Sequence, residues 1–279
     1  MPFSFINTVA SWILKKRHHQ IELFLQYPIE VQQEVLQNLL QTAKNTEVGK
    51  DYGFNDIDNY KDFSERVPLR KYEDIEPLIT RTRNGEQNVF WPTPINWFAK
   101  SSGTTNAKSK FIPVSQESLD DCHLNAGTDM LGLYVYGNEE AALFTGKGLI
   151  LGGSSDVYKN SLSNFGDLSA IIIENLPFWA EYGSALKQET ALMRDWEAKL
   201  DAIVNETIDE NITSISGVPS WMLVLLNRVL EVTGKSNILE VWPNLEVYFH
   251  GGVNFNPYRA QYHKLIPKKS FKYFEVYNA

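Results

Sequence analysis

The sequence predicts an α/β protein in which mixed β-sheets are layered with flanking helices. Three observations carry that prediction. From residue 115 onward, short apolar runs alternate with longer stretches of helical period, the pattern of sheets covered by helices. The runs 212–217 and 245–249 are rich in β-branched and aromatic residues, and glycine follows each of them closely. Of the 279 residues, 43% are hydrophobic and 13% aromatic, enough to bury a large core and too many for a disordered chain.

Residues 3–14 are apolar but interrupted by Ser4, Asn7, Thr8 and Ser11, which suits an amphipathic first helix docked on the body. Lys15, Lys16 and Arg17 follow the apolar part, the reverse of a signal peptide. The run is also shorter than the ~20 residues of a membrane span. No span is expected, and a membrane-surface role is the minor alternative. Residues 21–44 read as two helices, with Pro28 in the first turn of the second and Leu36, Leu39, Leu40 and Ala43 at helical spacing. Gly49 and Gly53 end that region. A short helix is expected over 58–66, and another over 72–82, broken or kinked at Pro77. Extended runs at 95–99 and 111–114 flank a polar loop. Ser115 caps the next helix, with Glu117 in its first turn. Leu119 and Cys122, three apart, are expected on one face, and the helix is expected to end near Gly127 or Gly132. A strand near 148–151 opens into a small-residue loop ending at Asp156, and 188–206 reads as one amphipathic helix with Leu192, Trp196, Leu200 and Ile203 in a stripe. The strand 212–217 turns through Val218-Pro219-Ser220-Trp221 into an apolar helix over 222–232. The strand 245–249 runs into His250-Gly251-Gly252-Val253-Asn254, and 271–277 forms a last strand before Asn278 and Ala279.

A net charge of −8 and the lack of a basic stripe with interleaved aromatics argue against nucleic acid. A single cysteine, Cys122, excludes an internal disulfide framework and fits a reducing, cytoplasmic setting. His123 follows Cys122, so on a helix it points about 100° away and makes no nucleophile–base pair. His250 has no second His, Cys or carboxylate pair near it in sequence and reads as a structural histidine, as does the pair His18-His19.

The loop 101–110 carries the chemistry. Ser101, Ser102, Gly103, Thr104 and Thr105 supply hydroxyls and open backbone amides, and Lys108 adds charge, a set suited to phosphate oxygens. It is not a Walker loop, because Ala107 stands where the second glycine must precede the lysine. On composition alone, an ordinary polar turn is the better reading.

The pattern Ser101-Ser102-Gly103-Thr104-Thr105-x-x-Lys108-x-Lys110-Phe111-Ile112-Pro113 resembles the phosphate loop of the adenylate-forming superfamily. More narrowly, it is similar to the loop of the auxin-responsive Gretchen Hagen family of acyl acid amido synthetases. Ala107 stands where glycine is usual and Ser109 where proline often stands. The lead-in Thr46 to Phe54, the Gly217-Val218-Pro219 turn, the Gly251-Gly252 loop and the Tyr277-Asn278-Ala279 ending match in the family's order, so the resemblance covers about 21–279.

That resemblance implies the fold of the large N-terminal domain of adenylate-forming enzymes, with a helical segment 1–90 packed on an ATP- and acyl-binding part 91–279. It implies ATP-dependent adenylation of a small carboxylic acid, then transfer to an amino acid amine, with Mg²⁺ as cofactor. Ser101, Ser102, Gly103, Thr104, Thr105, Lys108, Cys122, Asp156, Gly251, Gly252, Val253, Tyr277, Asn278 and Ala279 would contact ATP. Leu119, Val218, Trp221 and Val253 would wall the acyl pocket. The metal-organising glutamate of the family would follow Ala279, so the chain is expected to be the front part of a longer protein. An acyl-coenzyme A synthetase and a non-catalytic nucleotide- or acyl-binding fragment are the alternatives.

Overall fold

The structure is a computed structural model that describes residues 2–101, 109–152, 157–159 and 161–277. In chain order its helices are α1 (Pro2–Gln26), α2 (Pro28–Ala43), α3 (Glu47–Asp51), α4 (Tyr60–Arg66), α5 (Tyr72–Arg83), α6 (Asn125–Gly137), α7 (Leu168–Glu174), α8 (Phe178–Tyr182), α9 (Gln188–Ala191), α10 (Trp196–Thr207), α11 (Pro219–Thr233) and α12 (Arg259–Leu265). Its strands are β1 (Trp97–Lys100), β2 (Phe111–Val114), β3 (Lys147–Leu151), β4 (Tyr158–Lys159), β5 (Asn164–Gly166), β6 (Ile212–Gly217), β7 (Val247–Gly251) and β8 (Lys272–Val276). The chain divides into two compact units, one of Met1–His18, Gly127–Asp156 and Ile172–Ala279, the other of His19–Ala126 and Val157–Ile171. The expected α/β class with mixed sheets and flanking helices is what forms.

The first unit holds a parallel sheet in the order β3-β6-β7-β8. Strand β7, inside the sheet, is buried on both faces, which is why it reads as Val-Tyr-Phe-His without a polar alternation. One face carries Leu149, Leu151, Ile215 and Tyr248 and packs on Leu200, Ile203, Met222, Leu225, Val229 and Tyr262 of α10, α11 and α12. The other carries Val247 and Phe249 and packs on Tyr134 and Val135 of α6 and Leu14 of α1. Burying six core side chains of that size on the first face contributes on the order of 10 kcal/mol before entropy is subtracted.

The second unit holds a sheet in the order β2-β1-β5-β4, with β1 antiparallel to β2 and parallel to β5. Ile79, Ile95 and Phe98 form its core, with Tyr72, Ile75, Phe90, Phe111 and Phe165 around them. Thr46 caps α3 by accepting from Gly49 N at 3.0 Å while donating to Ala43 O at 2.6 Å. Arg81 grips both oxygens of Glu47 at 2.8 and 2.6 Å and also pairs with Glu86.

Three elements differ from expectation. Helix α5 runs unbroken past Pro77. The proline lacks one amide donor near the first turns and is exposed, so only a single interior hydrogen bond is lost. The helix after Ser115 continues past Gly127 and Gly132 to Gly137, and it begins with π turns over Ser118–Leu124. A π turn is wider than an α turn, so residues three apart no longer share a face. Leu119 is accordingly buried and Cys122 exposed, which corrects the expected common face. The stretch 188–206 is two helices, because Asp195 accepts from Ala198 N at 2.7 Å and starts α10 afresh. Leu200 and Ile203 still lie in the core, with Trp196 packed against it.

Candidate functional site

In the second unit, β1 and β2 form a hairpin in the register Trp97↔Val114 to Lys100↔Phe111. Its mouth is closed by Ser101 N donating to Lys110 O at 2.9 Å and Lys110 N donating to Ser101 Oγ at 3.3 Å. The polar loop therefore springs from a paired two-strand base. Ser102, Gly103, Thr104, Thr105 and Lys108 lie outside the described residues. A partner the sequence did not reveal is Tyr72 of α5, whose hydroxyl accepts from Phe111 N at 2.8 Å and fixes the free edge of β2 beside the loop. A tyrosine opening an amphipathic helix gives no such signal by itself.

Ser115 caps the following helical run, as expected, by accepting from Ser118 N at 3.1 Å. Glu117 accepts from Thr93 Oγ1 at 2.9 Å. Burial raises its pKa, but hydrogen bonds from its own amide, Thr93 and Ser115 prevail and hold it below the ordinary glutamate value.

In the first unit, the turns at the carboxyl ends of β6, β7 and β8 carry Val218, Gly251, Gly252, Val253 and Tyr277. Such strand ends are where open α/β sheets bind ligands. Pro219 opens α11 in its first turn, after Val218 in the cap position. Tyr248 donates its hydroxyl to Gly217 O at 2.9 Å, and Tyr262 donates to Pro219 O at 2.7 Å. The two rings stack with centroids 5.0 Å apart, and burial pushes both phenols well above the usual tyrosine value. These two tyrosines clamp the turn from below and were not singled out in the sequence. A tyrosine inside an apolar parallel strand is itself a signal, since its hydroxyl must find a partner.

Gly251 ends β7 opposite Val276, and a Cβ placed there would lie 2.2 Å from Val276 O. Gly252 has φ +82°, and its Cβ would sit 3.3 Å from a methyl of Val218. Val218, Gly251 and Gly252 are thus brought together at adjoining turns. Val253 and Trp221 are each about 40% exposed, with the Trp221 ring 6.3 Å from Trp196. Tyr277 follows β8 and is exposed. Asp156, Asn278 and Ala279 lie outside the described residues. His250 is buried and stacked on Phe255 at 4.1 Å. Burial lowers its pKa and Arg259 lowers it further, against a partial rise from Glu275.

A model of the GH3 family N-terminal domain matches residues 17–271. The chain belongs to the GH3 family. This is the Gretchen Hagen family that its motifs resemble. Over 132 residues it is 35% identical to the indole-3-acetic acid-amido synthetase GH3.2 of Arabidopsis thaliana, an alignment covering 46% of this chain and 23% of that protein. It is 30% identical over 121 residues to the jasmonoyl-L-amino acid synthetase JAR4 of Nicotiana attenuata, covering 43% and 20% of the two chains. Among solved structures it is similar in fold to a GH3.15 acyl acid amido synthetase, with a TM-score of 0.69, 15% identity, and coverage of 90% of this chain and 52% of that one. The chain thus spans about half the length of that solved relative.

Within this GH3 domain, the hairpin of the hydroxyl loop and the turns after β6 and β7 all fall inside the matched region, whereas residues 2–16 precede it. Among the described residues, no group of three His, Cys, Asp or Glu side chains is placed to hold a metal ion. Among the same residues, no helix is long and apolar enough to cross a membrane.

Proposed function

We propose that this chain carries the adenylating part of an acid–amido synthetase. A carboxylate oxygen attacks the α-phosphorus of ATP and pyrophosphate leaves. The amine of an amino acid then attacks the acyl carbon and displaces AMP, leaving an amide. The observation that supports this best is the paired hairpin closed at Ser101 and Lys110, in a GH3 domain, beneath a loop of hydroxyls and lysine. The names of the similar proteins, synthetases of indole-3-acetic acid and jasmonoyl amides, support the same class. A small carboxylic acid and an amino acid are the proposed substrates.

Ser101, Ser102, Thr104 and Thr105 would hold phosphate oxygens, Gly103 would let the backbone approach them, and Lys108 would neutralise charge. Gly251, Gly252 and Val253 would receive the flat base, with Cys122, Asp156, Tyr277, Asn278 and Ala279 as further nucleotide contacts. Leu119, Val218, Trp221 and Val253 would form apolar walls for the acid. The chemistry would reside in 91–279, with 1–90 as helical support. The described residues offer no ligand set for Mg²⁺, so no step is assigned to it. Mg²⁺ would arrive on the phosphates of ATP. The single cysteine favours a cytoplasmic protein.

Calorimetric titration of ATP with Mg²⁺ tests the site. Wild type is expected to bind, and Ser102→Ala combined with Thr105→Ala to weaken binding at least roughly tenfold, through two lost charge-assisted hydrogen bonds. Binding unaffected by the double substitution would put the nucleotide elsewhere.

A further inference from the structure

Helix α1 presents two faces of different chemistry. The inner face is tied to the body. Asn7 donates its Nδ2 to Ala141 O at 3.0 Å and accepts from Phe144 N at 3.1 Å. Leu14 is buried against Tyr134 and Val135. Arg17 grips Asp129 at 2.6 and 3.3 Å, and His18 stacks on Tyr136 with ring centroids 3.4 Å apart. Positions 7, 14, 17 and 18 therefore fix how the helix is rotated. The outer face then follows at helical spacing. Val9 is 39% exposed, Trp12 58% and Ile13 56%. Lys15 and Lys16 are exposed beside them, with the Lys16 ammonium 3.5 Å from the centre of the Trp12 ring.

Along the chain, the charge near this face is segregated. The chain carries −8 overall, yet no acidic residue precedes Glu22, whereas Lys15, Lys16 and Arg17 do. The face lies ahead of residue 17, where the match to the GH3 domain begins.

We propose that the outer face of α1 docks this protein on a membrane surface rich in anionic headgroups, with the helix lying in the plane of the interface. Val9, Trp12 and Ile13 enter the boundary between headgroups and acyl chains. Lys15 and Lys16 meet the lipid phosphates. An exposed face pairing Trp and aliphatic residues with lysines is the chemistry of such helices. The proposal is independent of the amido synthetase reading.

Vesicle flotation of the full chain tests it, with phosphatidylcholine vesicles and with vesicles that also contain phosphatidylglycerol. The chain is expected to float with the anionic vesicles and to stay down with the neutral ones. Lys15→Ala with Lys16→Ala is expected to weaken partition about 25-fold, roughly fivefold for each charge. Trp12→Ser with Ile13→Ser is expected to abolish it. All four side chains are exposed, so both variants should melt as wild type does, and a thermal scan verifies this. The absence of flotation, equal flotation with both lipids, or variants that float as wild type does would overturn the proposal. So would a dimer in light scattering that Trp12→Ser with Ile13→Ser dissolves, since the face would then be a contact between copies.

Discussion

Replacing Gly251 with alanine tests whether the close pairing of β7 and β8 shapes the turn at 251–253. The added Cβ would lie 2.2 Å from the carbonyl oxygen of Val276, whereas ordinary contact begins at 3.4 Å, a shortfall of about 1.2 Å. The obstacle is backbone of the neighbouring strand, so no side chain can swing away. Either the strands part there and lose ladder hydrogen bonds, or the clash stays as strain. Overpacking costs about 1–3 kcal/mol and each lost bond about 1 kcal/mol, so a total near 3 kcal/mol is expected. For a chain of this size, that corresponds to a fall in Tm of roughly 6–12 °C. Gly252→Ala is the internal comparison. Its φ of +82° strains an alanine, but its Cβ meets only a Val218 methyl at 3.3 Å, which can turn. The expected cost is about 1 kcal/mol, a fall of roughly 3 °C. Scanning calorimetry of the two variants without ligand decides the matter. If Gly251→Ala melts within about 2 °C of wild type, or if Gly252→Ala is the more damaging change, the close approach does not control this turn.

Three other outcomes are expected. His250 is buried with its pKa held below 6.5, so the unfolded chain takes up a proton that the native chain refuses. Stability present above that value should decline as pH falls through it, and His250→Phe should flatten the decline in urea unfolding between about pH 7.5 and 5.5. Burial raises the pKa of Glu246 above 4.5, despite hydrogen bonds from Ala142 N and Tyr134 and the charge of Lys268. Its native form holds the proton more tightly, so stability should fall as pH rises from that value. Glu246→Gln should therefore melt higher than wild type at neutral pH and alike in acid, and a lower melt at neutral pH would count against this. Pro77 is exposed inside α5, and Pro77→Ala restores one interior amide donor. The urea midpoint should rise by the equivalent of about 1 kcal/mol or more, and an unchanged midpoint would mean that the helix already compensates for the missing bond.

The strong local signals survived folding. Pro28 begins its helix, Ser115 caps its helical run, and the strand at 212–217 forms over the same residues, whereas Pro219, expected in a turn before a helix at 222, is already the first residue of α11. In these places, a fixed proline φ, a capping hydroxyl or a β-branched run decides the outcome without help from distant chain. The misses came where distant chain decides. Gly127 and Gly132 suggested helix ends, yet Tyr134 and Val135 lie in a core with Val247 and Phe249, and that burial outweighs the glycine penalty. Asp195 looked like one more polar position on a long helix until its carboxylate capped a new one. At the site, the glycines and the hydroxyl cluster announced themselves by residue type. The supports of the site did not. Tyr72 sits 39 residues from the amide it binds, and Tyr262 is 43 residues from the carbonyl it holds. No local pattern encodes a pairing of that span.

The same spans set an order of events during synthesis. The Gly217-Val218-Pro219 turn is held by hydroxyls from Tyr248 and Tyr262, which lie 31 and 43 residues later in the chain. At about 5–20 residues per second, a ribosome delivers the second hydroxyl roughly 2–9 s after the turn itself. During that interval β6 has its earlier partner β3 but neither β7 nor the tyrosine clamp. The nascent chain therefore waits with an open parallel edge and an unbraced turn at the place proposed for the substrate, and that interval is when it most needs shielding from other chains.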